Sequence, residues 1–271
     1  MSNPFVSFII PYYNAGATIQ ETIDSIFNQS YSNFDIWLIN DGSTDQVSID
    51  QLKAYEGNEK IHILHQENAG PSSARNAAIE KTKAAFIVPI DADDLIAKET
   101  LSEGLKTMCS DDTIGVVYGN LQFFGAQTKI QIQEDFNLEK QLVWNQIAVC
   151  CLIRKSVFDA VGYYDTYLSK LGLEDWEFWI RVGNSQWQFV KLEHIQFSIR
   201  IQENSRTLDV ANKNIESIKA YVSQKHSIIW MKHYEKKFYE TKMLLETPDF
   251  KIGKFMMAPY RFFKKTFLKN E

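Results

Sequence analysis

Three carboxylates stand together directly after a hydrophobic segment, in the run Asp91-Ala92-Asp93-Asp94. Carboxylate oxygens are preferred ligands of Mg²⁺ and Mn²⁺, and these cations often also hold the phosphates of a substrate. A divalent cation bound there would neutralise the charge that develops on a departing diphosphate. The same acids would equally suit the start of a helix, where they cap backbone N–H groups and favour the helix dipole. Spacing alone leaves both interpretations open.

A second acidic pair, Glu174-Asp175, opens a segment with a helical apolar pattern that begins at Trp176. A carboxylate in that position can remove the proton from an acceptor hydroxyl as a general base. It can also serve as an ordinary negative charge at a helix N-terminus. The periodicity of the segment does not distinguish the two.

Two further polar residues have the chemistry to contact a nucleotide. Asp41, in Asn40-Asp41-Gly42-Ser43, can accept a hydrogen bond from a base edge such as the imide N–H of uracil, or can form an Asx turn and a helix cap. Arg75 lies in the first turn of a helix predicted over residues 73–81, where a guanidinium matches phosphate oxygens. The alternative for Arg75 is a surface ion pair.

The elements that must position these residues alternate between strand and helix over the first hundred residues. Short apolar runs predict buried strands at 6–10, 36–39, 61–64 and 86–90, and Thr18 with Glu21 has the spacing of a helix capping box. Repeated β-α-β units imply a mostly parallel sheet with helices on both faces. Ligands bind beyond the carboxyl ends of such strands, so the polar segments that follow them should meet on one rim.

The second half of the chain is less regular. We predict a strand pair over 116–124 broken by Gly119 and Gly125, a loop over 127–146 that shapes the acceptor side, a strand leading into a helix over 149–161, and a helix over 173–182. Beyond residue 209 the pattern is helical, with no further strand predicted.

Five segments in order resemble the signatures of family 2 glycosyltransferases, which have the GT-A fold. They are VSFIIPYYN at 6–14, INDGSTD at 39–45, NAGPSSARN at 68–76, DADD at 91–94 and EDWEFW at 174–179. The resemblance covers roughly residues 5–205. It implies a GT-A domain over 1–205, with a nucleotide-sugar half at about 1–95 and an acceptor half at about 96–205, followed by a helical, basic-aromatic extension over 206–271.

The resemblance also implies an activity, which is the inverting transfer of a sugar from a nucleotide-diphosphate donor to a hydroxyl without a covalent intermediate. A UDP-sugar is the expected donor, and a glycan or lipid-linked sugar of bacterial-type surface polysaccharide synthesis is the expected acceptor. Mn²⁺ or Mg²⁺ is the expected cofactor. By their places in the motifs, the residues implied are Pro11, Tyr13 and Asp41 at the nucleoside, Arg75 at the diphosphate, Asp91 and Asp93 at the metal, and Asp175 as the catalytic base.

One position departs from the family pattern. Members often carry a histidine in the segment after the acceptor helix, where it can help to hold the metal or the diphosphate. Here the corresponding segment, 199–206, has Gln202 at that place. An amide oxygen is acceptable to Mg²⁺ or Mn²⁺ but is a poorer transition-metal ligand than imidazole, which leaves coordination from this side open.

Composition indicates the class of protein, its partners and its cellular location. With 271 residues, 45% hydrophobic and 23% charged, the chain is typical of a folded globular protein, and its net charge of −5 argues against nucleic acid as a partner. Three cysteines without zinc spacing favour a reducing, cytoplasmic location. We predict no signal peptide, and no apolar run approaches the roughly 20 residues that cross a bilayer.

The segment 251–269 interleaves six basic residues with aromatic ones and contains no acid. Such a segment can lie on an anionic membrane, which would place the protein peripherally on the inner face of the cell membrane. Alternatively, its aromatic side chains pack on the catalytic domain while the lysines stay in water.

Two other functions remain in view. A non-catalytic nucleotide-sugar-binding or scaffold subunit of a membrane glycan-assembly complex would be expected to have lost the metal or base carboxylates, and both are present. A sugar nucleotidyltransferase usually has a glycine-rich loop with basic residues after its first strand, whereas this chain has Tyr12-Tyr13-Asn14 there.

Overall fold

The computed structural model describes residues 3–202 and 206–247. Its strands are β1 (Val6–Tyr12), β2 (Phe34–Asp41), β3 (Ile61–Gln66), β4 (Phe86–Pro89), β5 (Leu95–Ile96), β6 (Ile114–Gly125), β7 (Lys129–Gln131), β8 (Leu152–Arg154) and β9 (Gln188–Ile201). Its helices are α1 (Ile19–Phe27), α2 (Gln46–Tyr55), α3 (Pro71–Lys81), α4 (Thr100–Met108), α5 (Leu138–Val143), α6 (Lys155–Val161), a 3-10 turn at Leu168–Lys170, α7 (Glu174–Gly183), α8 (Arg206–Lys225) and α9 (Ser227–Glu246).

The described strands form one sheet in the order β3-β2-β1-β4-β8-β6-β9-β5, with β7 paired to β6. The first four strands in that order are all parallel, as the repeated β-α-β pattern predicts. Strand β8 pairs antiparallel with β4 on one side and with β6 on the other, and so joins the two halves of the sheet. In the second half β6 and β9 are parallel, whereas the pairs β6–β7 and β5–β9 are antiparallel. The predicted α/β class with a mostly parallel sheet is confirmed.

Each face of the sheet carries its own apolar core, because successive side chains of a strand point to opposite faces. Phe8 of β1 packs with Ile23 of α1 in one core. Its neighbour Ile9 packs with Ala78 of α3 and Trp179 of α7 in the other. Helices therefore cover both faces, as predicted.

Strands β6 and β9 differ most from the sequence prediction. Instead of a strand pair broken by glycine, β6 is one continuous strand of 12 residues, and β9, a strand of 14 residues, was not predicted. A Cβ atom on Gly119 would lie 2.3 Å from Cγ of Gln196. The glycine thus allows the two strands to approach closely, where the sequence suggested a break.

The predicted capping box at Thr18 is wrong. The Thr18 hydroxyl makes no capping bond to α1 and instead donates to the carbonyl of Ala92 at 3.0 Å, which ties the start of α1 to the segment 91–94.

The predicted loop over 127–146 also holds β7 and α5. Helix α3 begins at Pro71, earlier than predicted, because proline is well suited to the first helical position.

The chain divides into two compact units, Met1–Val222 and Ser223–Glu271. Across 3–202 and 206–247, the structure contains no helix with both the length and the apolar character that a membrane span requires. The basic-aromatic segment 251–269 lies outside the described residues, so its two predicted modes of packing stay predictions.

Candidate active site

The loops that follow the parallel strands meet at one rim of the sheet. After β1, the Asn14 side chain accepts a hydrogen bond from the backbone N–H of Thr44 at 2.8 Å. The Asn68 side chain, in the loop after β3, donates to the backbone carbonyl of Asp41 at 3.0 Å. With the bond from Thr18 to Ala92, these contacts join the carboxyl ends of four neighbouring strands, which is the arrangement the topology predicts.

Asp41 ends β2 and is almost fully buried. Its carboxylate accepts hydrogen bonds from the backbone N–H groups of Ala69 and Gly70, each at 2.8 Å, and from Nε2 of Gln66 at 2.7 Å. The Asx turn expected in this segment belongs to Asn40, whose Oδ1 accepts from the Ser43 N–H at 2.9 Å. Asp41 therefore fixes the loop that leads into α3.

Pro11 and Tyr13, the other residues predicted at the nucleoside, lie at the end of β1. Pro11 is half-buried and pairs with Ile39 of β2, while Tyr13 follows the strand with 43% of its surface exposed. An exposed tyrosine ring on this rim is available to stack on a planar group.

Arg75 is only 2% exposed and is enclosed between two carboxylates. Its Nη2 donates to Oδ1 of Asp91 at 2.6 Å, and its Nη1 donates to Oε1 of Glu174. Burial alone would lower the pKa of Arg75, but the two carboxylates outweigh it and raise that pKa above its ordinary value. The alternative of a surface ion pair is wrong, because the guanidinium is buried and joins the segment 91–94 to α7.

Replacing Arg75 with methionine is expected to destabilise the protein by about 3 kcal/mol, because Glu174 would be left buried without its partner. The Asp91 side chain contributes less to this loss, since 45% of it is exposed to water. Urea unfolding followed by circular dichroism measures the change. Arg75→Lys, which keeps the charge, should recover part of the stability, and equal stability of wild type and Arg75→Met would contradict the prediction.

The carboxylates of Asp91, Asp93 and Asp94 occupy different surroundings. Oδ2 of Asp93 accepts a hydrogen bond from Nε2 of Gln202 at 2.9 Å, and Oδ1 of Asp94 accepts from the backbone N–H of Arg200 at 2.9 Å. Burial, and then repulsion from Asp91, raise the pKa of Asp93 to about 6. Burial also raises the pKa of Asp94, with Asp91 and Asp93 adding to the effect. Asp94 is followed by strand β5, so the helix-capping interpretation of these acids is wrong.

These residues fit a hard divalent cation. Within the described ranges, no group of three or more His, Cys, Asp and Glu side chains is arranged to hold a metal. Mg²⁺ does not require such a cage, because it is usually held by one or two carboxylates together with substrate phosphates. The Asp91 and Asp93 carboxylates supply negative charge and oxygen donors of the kind that Mg²⁺ and Mn²⁺ prefer. Gln202 directs its amide nitrogen, and not its oxygen, at Asp93.

Asp175 lies in the first turn of α7, which begins after Leu173 in the left-handed conformation. Its Oδ2 accepts a hydrogen bond from Nδ2 of Asn145 at 2.8 Å, and its Oδ1 accepts from the backbone N–H of Trp176 at 2.9 Å. Burial, followed by repulsion from Glu174, raises the pKa of Asp175 to about 7, against the lowering effects of Asn145 and Arg75. A carboxylate with that pKa can exchange protons near neutral pH.

A cleft of about 270 Å³ brings the two acidic groups together, since Asp91, Asp94 and Asp175 all line it. The remaining walls are mainly apolar and amide side chains, and the amides are Gln131, Gln133, Asn145 and Gln146. Asp41 and Tyr13 lie outside the lining of this cleft. Asp94 and Glu174 belong to the two acidic runs in the sequence, but neither was assigned a role of its own. No spacing signals Asn145, which is 30 residues from its partner Asp175.

The chain is similar in sequence and in fold to known proteins. The family model described as "Glycosyl transferase family 2" matches residues 7–162. The chain is 36% identical to the chondroitin synthase of Pasteurella multocida over 115 residues, which cover 42% of this chain and 12% of that protein. It is 34% identical to glycosyltransferase GlyG of Streptococcus pneumoniae over 116 residues, or 42% of this chain and 38% of that one. The chain thus spans less than half the length of these curated relatives.

Among solved structures, S. aureus TarS 1-349 in complex with UDP-GlcNAc superposes with a TM-score of 0.62 at 18% identity. The match covers 76% of this chain and 60% of TarS 1-349. At that level of identity the likeness concerns the fold, and it agrees with the order of strands and helices described above.

Proposed function

Because the chain belongs to glycosyl transferase family 2, we propose that it transfers a sugar, with inversion, from a nucleotide-diphosphate donor to a hydroxyl group. A UDP-sugar is the proposed donor, and a glycan or lipid-linked sugar of bacterial-type surface polysaccharide synthesis is the proposed acceptor. The observation that carries the proposal is that Asp175, with a pKa of about 7, lines the same cleft as Asp91 and Asp94.

The fold and the relatives support this choice of donor and setting. The similar structures of TarS include complexes with UDP and with UDP-GlcNAc, and one relative is named a chondroitin synthase. We propose that residues 1–205 form the catalytic domain and that 206–271 extend it. In this scheme Pro11, Tyr13 and Asp41 surround the nucleoside.

In the proposed reaction, Asp175 accepts the proton of the acceptor hydroxyl as that oxygen attacks the anomeric carbon of the donor. The bond from this carbon to the diphosphate breaks on the opposite side, and its electron pair leaves with the diphosphate. Asp93 and Asp91 would hold Mn²⁺ or Mg²⁺, which when bound stabilises the negative charge of the diphosphate as a Lewis acid. Arg75 holds Asp91 in place and adds positive charge beside the diphosphate.

We propose further that the protein works in the cytoplasm, with the segment 251–269 on the anionic inner face of the cell membrane. Six basic residues among aromatic ones support this placement.

A transfer assay with a panel of UDP-, GDP- and dTDP-sugars tests the function, with simple sugars and lipid-linked sugars as acceptors. We expect turnover of one donor class with Mn²⁺ or Mg²⁺, loss of turnover in EDTA, and an anomeric configuration in the product opposite to that of the donor. Binding of nucleotide sugars without hydrolysis or transfer would favour a non-catalytic subunit instead. Formation of a nucleotide sugar from a sugar phosphate and a nucleoside triphosphate would show a nucleotidyltransferase.

The pH dependence of transfer follows from the Asp175 carboxylate. Only its ionised form can act as the base, so kcat/KM should rise with pH through a midpoint near 7. One pH unit below that midpoint, kcat/KM should be about a tenth of its plateau value. The charged groups that face Asp175 are Glu174 and Arg75, and Asp91 and Asp94 line the same cleft. Cys151 and Tyr164 also face it, but their raised pKa values keep them neutral in this pH range. A profile that is flat between pH 5.5 and 8.5 would contradict the assignment.

A further inference from the structure

A chain of two amides, the buried Gln141 and the half-buried Asn145, leads from α5 to the Asp175 carboxylate. Gln141 of α5 is fully buried, and its Oε1 accepts a hydrogen bond from the backbone N–H of Gln146 at 3.0 Å. Its Nε2 donates to the backbone carbonyl of Trp176 at 3.2 Å and to Oδ1 of Asn145 at 3.1 Å. Nδ2 of Asn145 then donates to Oδ2 of Asp175 at 2.8 Å.

Backbone groups determine which way each amide in this chain points. A backbone N–H can only donate and a backbone carbonyl can only accept, so the contacts with Gln146 and Trp176 fix the oxygen and nitrogen ends of Gln141. With its nitrogen directed at Asn145, Gln141 requires the Asn145 oxygen to face it. The Asn145 nitrogen is thereby directed at Asp175.

We propose that Asn145 is a positioning residue for Asp175, and that Gln141 orients the Asn145 amide so that its N–H group holds the carboxylate oxygen in the cleft. The proposal rests on the proposed function, in which Asp175 is the base. Asn145 supplies a hydrogen bond that favours the ionised carboxylate, against the burial and the Glu174 charge that oppose it. It also leaves the Asp175 carboxylate one fixed orientation toward an acceptor hydroxyl.

The pH profile of kcat/KM tests this role, because a merely structural residue would not move it. Asn145→Ala should shift the midpoint upward by about one unit, so that transfer at pH 7 falls about fivefold beyond any change in the plateau. Asn145→Asp, which has the same shape but places a second carboxylate against Asp175, should shift it further in the same direction. Circular dichroism checks that both variants fold.

Gln141 and a matched amide complete the test. Gln141→Met, of similar volume, should shift the midpoint upward by less than Asn145→Ala does. The double variant should shift it no further than Asn145→Ala alone, because both substitutions act through the same contact with Asp175. Gln131→Ala removes another amide that lines the cleft and should leave the midpoint where it is. A folded Asn145→Ala protein with the wild-type midpoint would overturn the proposal.

A second readout separates this proposal from the proposed function. If wild type transfers sugar from no donor, the proposed function fails, but the Asp175 carboxyl can still be titrated by ¹³C NMR, with Asp175→Asn used to assign its signal. An upward shift of that titration in Asn145→Ala supports the amide chain, and an unchanged titration overturns it.

Discussion

Replacing Asp175 with asparagine is expected to lower kcat by about 10²- to 10⁴-fold, which is the usual contribution of a general base. Asparagine has nearly the same shape and its side-chain oxygen can still accept the Trp176 N–H, but its amide cannot take the acceptor proton. Donor binding should change little, because Asp41 and Tyr13, the residues proposed at the nucleoside, do not line the cleft that Asp175 lines. Steady-state transfer kinetics and calorimetric titration with UDP measure the two effects separately.

A matched control for this variant is Asp159→Asn, which removes an exposed carboxylate on α6. It should retain wild-type kcat and KM. If Asp175→Asn kept more than a tenth of wild-type kcat, Asp175 would not be the base, and the cleft would have to be reinterpreted with another proton acceptor.

Replacing Asp93 with asparagine is expected to reduce transfer by about 100-fold or more, since cation stabilisation of a departing phosphate is worth several kcal/mol. The variant should also lose the part of its UDP affinity that depends on Mn²⁺. Its stability should not fall, because a pKa raised to about 6 means that the charge Asp93 carries at neutral pH is less stable in the folded protein than in the unfolded chain. A neutral amide removes the repulsion from Asp91.

Calorimetric titration with UDP in the presence and absence of Mn²⁺, together with thermal unfolding, distinguishes these effects. The prediction fails if Asp93→Asn still binds UDP more tightly with Mn²⁺ than without it. A large drop in melting temperature would also count against it, because the loss of transfer would then reflect unfolding. Asp159→Asn serves as the control here as well.

The sequence by itself determined the family, the α/β class and the rim at which the polar residues collect. Apolar runs of strand length mark which segments enter the sheet, and β-α-β repetition makes those strands parallel. Once the strands are parallel, the residues that follow each one must gather at a single edge. Asp41 and Asp91 could therefore be assigned to one rim without any knowledge of their contacts.

Only the tertiary structure decided which partners these side chains have. Arg75 and Glu174 are 99 residues apart, and Asn145 and Asp175 are 30 apart, yet each pair is in contact. Hydrophobic periodicity encodes which face of an element is buried, but it does not encode which distant polar group lies opposite. The predicted cap at Thr18 was wrong for the same reason, because its hydroxyl bonds to Ala92, 74 residues away.

The second half of the sheet shows this limit most clearly. Gly119 suggests a break when β6 is considered alone. Residues 195–201 of β9 alternate apolar and polar side chains, which is a strand pattern, but that pattern does not show that β6 is the partner strand. Their pairing is favourable because Gly119 leaves room for Gln196, a contact between residues far apart in the chain. Through that pairing, Leu121 and Phe123 of β6 and Ile199 of β9 come to line the cleft that also contains Asp175. A contact of this kind depends on the packed shape of two elements at once, and so no single stretch of sequence contains it.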